Sequence, residues 1–257
     1  MRRAGGHWGA AVTLHRGGEE HATAMHTVLA LFMMALPIAA PRSSPTPPCV
    51  EHELTVTAQV FDYWHLSSES LATASEVVSR LYEGIGVRIE WYPTLKKDLR
   101  RPGAVTRRAP SGARIAQMTV IVLTPEMAIR AHMQEGVLGL AAVPEEGMGR
   151  IAYVVYDRVQ RAAVGSGADE VKLMGSIMAH EISHLLLGRG SHANAGLMKD
   201  HLNHFEVRQL AEMKLEFSEL QADQIRRTIE NDSRTTAAMA HERTLSSVDA
   251  CVAAVAH

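Results

Sequence analysis

Residues 180–184 read His180-Glu181-Ile182-Ser183-His184, inside an apolar stretch that includes Met174, Ile177, Met178, Leu185 and Leu186. Such a stretch has to be a helix with a buried side, and it is interrupted by two imidazoles and a carboxylate. On a helix, positions i and i+4 lie on one face about a turn apart. Buried polar side chains need partners. Two histidines at this spacing can share one cation, and Glu181 projects beside them, able to take a proton from a metal-bound water. Zinc in a catalytic site takes about three protein ligands and keeps one position open. The fold must therefore deliver a third ligand to this helix.

Composition narrows what surrounds it. The chain has 257 residues, 46% hydrophobic and 21% charged, the make-up of a globular protein with a core. The net charge of −2 gives no basic field for nucleic acid. Two cysteines exclude a disulfide scaffold and a four-cysteine metal site. Histidine, with 14 copies, is the outlier.

Residues 1–48 read as a leader and a Pro/Ser-rich linker. The apolar run at 27–40 is too short to span a bilayer as a helix and fits the core of a signal peptide. Cleavage near residue 40 implies an exported protein, periplasmic or extracellular, that meets the membrane only transiently; an uncleaved anchor is the other reading. Met25 is an alternative start to Met1, against which Arg2, Arg3 and Arg16 argue. Cys49 follows Pro47-Pro48, which is no lipoprotein signal. In an oxidising compartment Cys49 and Cys251 are able to pair, or both stay thiols.

From residue 49 to 230 the pattern is that of one α/β domain, with 231–257 as a tail. Strands are predicted at 54–61, 87–91, 115–123 and 150–156. Helices are predicted from Ser67 or Ser68 to Gly84 or Gly86, at 125–133, at 168–187 with Gly188 as the stop, at 202–213 and at 219–230. The last of these is opened by a Ser218–Gln221 capping box. This makes a small twisted mixed sheet with one backing helix, the helix of the His pair and a short helical C-terminal part. Residues 92–114 are a basic loop, and 136–149 a glycine-punctuated one. Asp157-Arg158 reads as a turn, and His65 and His132 as ordinary isolated residues.

Beyond the helix come Gly188, Gly190 and His192, then Ala195-Gly196-Leu197-Met198-Lys199. The run HEISHLLLGRGSH followed by GLM resembles the metzincin zinc peptidases, which carry HExxH, a helix-ending glycine, a third histidine and a methionine turn. It is also similar to exported bacterial proteins with HEIGHLLLG, SH and GIM. The glycine falls four residues after His184 instead of three, and the histidine eight instead of six, so the helix is expected to run longer and its exit to be wider. The resemblance implies Zn²⁺ held by His180, His184 and His192, Glu181 as general base, Met198 as a hydrophobic floor, and a peptide or protein substrate. It also makes residues 136–150 a candidate cleft rim. Glu219 and Asp223, in turn, resemble the ExxxD of gluzincin peptidases, which makes Glu219 a rival third ligand. His201, His204 and Glu206 are further candidates. A zinc-binding protein without turnover is the reading from outside the enzymes. Oligomeric state is open.

Overall fold

The computed structural model describes residues 13–14, 54–92, 117–145 and 147–235. These fall in one unit, Met1–His15 with Glu53–His257. The leader other than residues 13–14, the basic loop from 93 to 114, both cysteines and the tail beyond 235 lie outside the described residues. Among the described residues no helix is long and apolar enough to cross a membrane.

The short strand β1 (Thr13–Leu14) precedes the main sheet in sequence. Five strands make that sheet: β2 (Leu54–Asp62), β3 (Val87–Tyr92), β4 (Gln117–Leu123), β5 (Gly139–Ala142) and β6 (Ile151–Val155). Their order is β3-β2-β4-β6-β5. The first four are mutually parallel and β5 runs antiparallel to β6 at the edge. Parallel neighbours need crossovers, and α1 (Ser68–Glu83) provides the one between β2 and β3. It starts at the Ser67 N-cap and stops at Gly84, the first of the two serines and the first of the two glycines that its sequence offers.

Strand alternation divides the apolar residues between two faces. Val56 and Ala58 of β2, Met118, Val120 and Val122 of β4, and Ala152 and Val154 of β6 belong to the main core with α1 and α4. Phe61, Ile121, Leu123 and Val155 face the other way and meet Ala128 of α2 (Pro125–Arg130). That second face also buries Gln59, which donates to Thr119 Oγ1 at 3.0 Å.

Helix α4 (Glu170–Leu187) crosses the main core. Asp169 caps it by accepting from the N–H groups of Val171 and Lys172. Every residue from Leu173 to Leu187 is buried, so it is a core helix rather than an amphipathic surface one. Three ties fix it. Ser176 Oγ donates to Leu210 O at 2.8 Å, in α5 (His204–Ala211). Tyr82 of α1 lies 2.8 Å from Ser183 Oγ. Ser183 Oγ in turn donates to Ala179 O at 2.7 Å.

Four sequence expectations are corrected. Part of the glycine-punctuated loop is strand β5, whose Gly-Leu-Ala-Ala has no β-branched residue and owes its form to pairing with β6. Asp157-Arg158 is no turn but the start of α3 (Tyr156–Ser166), which follows β6 directly; its N-cap is Val155, with no side-chain cap to signal it. Helix α2 ends at Arg130 rather than 133. Residues 201–202 form β7 (His201–Leu202), which β1 accompanies in parallel, and α5 begins only after the Asn203 cap. The helix opened by Ser218 and Gln221 runs over 219–235, with both capping-box hydrogen bonds present.

Candidate metal centre

The site is built on the second half of α4. His180 and His184 stand one turn apart and are fully buried, as is Glu181 between them. At Gly188 the backbone takes φ +85, a conformation that glycine adopts without steric cost, and the helix stops there. The chain turns through Gly190 and Ser191 and brings His192 back over the helix end. It then makes a second turn that closes by Ala193 N–H to Met198 O at 2.8 Å and Lys199 N–H to Gly196 O at 3.3 Å. Gly196 sits at φ +79, and Leu197 N–H donates to Glu216 O at 2.9 Å, pinning the turn from outside. Met198 is fully buried.

The hydrogen bonds fix the tautomers. His180 Nδ1 lies 2.7 Å from Leu197 O, and a carbonyl can only accept, so Nδ1 carries the hydrogen. His184 Nδ1 lies 2.7 Å from Ser191 Oγ. Ser191 already gives its hydroxyl hydrogen to Gly188 O at 2.9 Å, so it accepts from His184. Burial holds His180 down to about 4 and pushes His184 lower still, with the neighbouring imidazoles adding to the effect. His192 is lowered by burial too, with Asp200 opposing. Neutral, with hydrogen on Nδ1, His180 and His184 present bare lone pairs at Nε2.

Those lone pairs converge. His184 Nε2 is 3.0 Å from His180 Nε2 and 3.0 Å from His192 Nε2, and the three donor atoms lie within 4.8 Å of one another. Facing lone pairs repel unless a cation stands among them. Tetrahedral Zn–N bonds of about 2.0–2.1 Å would set the nitrogens about 3.3 Å apart, close to what is seen. Three imidazoles, with no fourth protein donor grouped with them among the described residues, are the set of a zinc site with an open position, so the residues fit the metal. Among the described residues this is the only such group of three.

The other candidates lie elsewhere. Glu219 is exposed at the start of its helix, in a surface groove of about 330 Å³ with Gly84, Ile85 and Phe217. Asp223 pairs with Arg226. Glu206 pairs with Lys199 and completes the Asn203 capping box. His201 is exposed, 3.6 Å from Asp200. His204 is exposed against Gly165. His65 and His132 are exposed residues with positive φ in turns. The sequence reading overlooked two contributors. Ser191 sets the tautomer of His184, and its position one residue before His192 was the available signal. Gly139 of β5 lies directly on Glu181, and nothing local marks it.

No family model matches the chain, and no curated relative matches it. Among solved structures it is similar to archaemetzincin from Methanopyrus kandleri, with a TM-score of 0.41 and 17% identity over 70% of this chain and 98% of that one. It is similar to a zinc-dependent peptidase from Methanocorpusculum labreanum, with 0.41 and 20% over 65% and 99%. Metalloproteinase-II from Bacteroides fragilis gives 0.42 and 10% over 71% and 55%. Likeness at these scores leaves activity to be argued from the site itself.

Proposed function

We propose that this chain is an exported, metzincin-like zinc metallopeptidase. The observation that carries the reading is the convergence of three neutral Nε2 atoms beside the buried Glu181 carboxylate. His180, His184 and His192 would hold the zinc, which when bound supplies a Lewis acid able to activate water and polarise a scissile carbonyl. Glu181 takes the proton of the attacking water on its carboxylate and passes it to the departing amine. The Leu197 carbonyl and Ser191 hydroxyl orient the two helix ligands, as the partners of ligand histidines generally do. Met198 forms an apolar floor through the same turn that supplies Leu197. β5, the terminal strand of its sheet, offers a peptide substrate an edge next to Glu181. A purely structural site gains nothing from a buried carboxylate beside its ligands.

The gluzincin alternative is tested against this one by zinc stoichiometry after dialysis. His192→Ala should lose the metal. Glu219→Ala should keep it and lose at most about 0.3–1 kcal/mol from the helix terminus. Full zinc in the first variant and none in the second would reverse the assignment. Export rests on the apolar run at 27–40: N-terminal sequencing of protein recovered outside the cytoplasm should begin near Pro41, and recovery with residues 1–30 attached would sink the cleavage.

A further inference from the structure

Gly139 opens β5, and a Cβ built on it would lie 2.6 Å from Glu181 Oε1, 2.7 Å from Cγ and 2.9 Å from Cδ. Side chains do not approach this closely, so the Glu181 carboxylate occupies the volume that any other residue at 139 would fill. Gly139 is not among the glycines with positive φ. Alanine can adopt its backbone without strain, and what glycine contributes here is the missing side chain rather than conformational freedom.

If a methyl were added, either β5 or the carboxylate would have to move, and β5 is fastened. It pairs along its length with β6, from Gly139 opposite Val154 to Ala142 opposite Ile151. Val155 N–H donates to Leu138 O at 2.9 Å, just ahead of the strand. Arg158, in the first turn of α3, holds the loop that delivers it. One guanidinium nitrogen donates to Gln134 O at 2.6 Å and Val137 O at 2.9 Å, and the other to Met133 O at 3.2 Å. A planar fork can serve three carbonyls at once, whereas an ammonium acts as a compact point charge. Beyond the other end, Arg189 Nε donates to Val143 O at 3.2 Å from within the loop that joins His184 to His192. The strand is clamped at entry and exit, so the carboxylate is the part that yields.

We infer that Gly139 is a positioning residue for the general base: its bare Cα forms the seat of the Glu181 carboxylate, and Arg158 keeps β5 at the distance that makes the seat fit. This rests on the peptidase reading above. Gly139→Ala should bind zinc in full, because the three histidines are untouched. Its kcat should fall about 10²-fold, the scale of a 1 Å misplacement, with KM within about twofold, since substrate binding and proton transfer are separable. The contact itself is read by thermal unfolding of the zinc-loaded proteins, which needs no turnover. Gly139→Ala should lower Tm in the natural background and leave it nearly unchanged in Glu181→Ala, where the carboxylate is gone. Should Gly139→Ala alone not fold, the Gly139→Ala/Glu181→Ala double variant should. Additive Tm effects, or an undiminished kcat in Gly139→Ala, would overturn the inference. A natural chain that hydrolyses no peptide counts against the peptidase reading, and the Tm cycle still decides the seat.

Discussion

Three imidazoles can converge either by accident or because each has been turned toward a shared cation. At this centre the Nδ1 partners of the two helix histidines favour the second. The Leu197 carbonyl and the committed Ser191 hydroxyl leave His180 and His184 no tautomer other than the one that presents Nε2. Glu181 is the buried carboxylate of the motif, and its removal separates binding from chemistry. Glu181→Gln is expected to retain full zinc while hydrolysis of an unfolded protein substrate drops by about 10²–10⁴-fold. Metal analysis and a proteolysis assay on the same sample check both halves. Near-normal turnover would take Glu181 out of the mechanism.

At the scale of elements, α4 is held to α1 by a short polar chain through an otherwise apolar contact. Tyr82 is fully buried, and burial pushes its hydroxyl well above the usual phenol range, so it stays protonated and donates. Ser183 accepts from it while donating to Ala179 O. This gives the serine inside the His motif a structural task that leaves the metal alone. Ser183→Ala is expected to cost about 0.5–1.5 kcal/mol in chemical denaturation, the net worth of a buried hydrogen bond, because the Tyr82 hydroxyl keeps Ala179 O at 3.4 Å as a second acceptor, with zinc content unchanged. Adding Tyr82→Phe should recover most of that loss, because removing both partners of a buried hydrogen bond is close to neutral. An undiminished loss in the double variant would mean that Ser183 acts through something other than Tyr82.

For the whole molecule, metal and proton compete for the same lone pairs. His180 has a folded pKa held near 4 by burial, against about 6.5 for an unfolded histidine. Between these values the unfolded chain binds the proton and the folded chain does not. Stability of the metal-free protein is therefore full above about 6.5 and lost as pH falls toward 4. Zinc binds only the neutral ligands, so its retention should fail in the same direction. Free zinc at about 100 times its Kd should add about 2.7 kcal/mol of stability. Thermal unfolding at pH 7.5 and pH 5, each with and without a chelator, checks both. A metal-free protein equally stable at both pH values would contradict the burial of neutral His180.

The His180–Glu181–His184 arrangement was legible in the sequence because helical spacing is a local property: i and i+4 share a face wherever the helix goes. The Ser67, Asp169, Asn203 and Ser218 caps and the Gly84 and Gly188 stops act over a few residues, and all but Asp169 and Asn203 were legible as helix ends. The strands β2, β3, β4 and β6 announced themselves through apolar runs long enough to be read by period. Where information had to come from contacts distant in sequence, the reading stopped. Strand β5 exists because β6 pairs with it, and α3 begins without a cap because β6 feeds straight into it. The choice among His192, Glu219 and three other side chains as neighbours of His184 was settled by a wide glycine exit whose path no spacing rule specifies. Gly139 lies 42 positions from the carboxylate it seats. Only the sheet that sets β5 beside α4 brings the two together, because packing, unlike periodicity, has no signature in a single segment of chain.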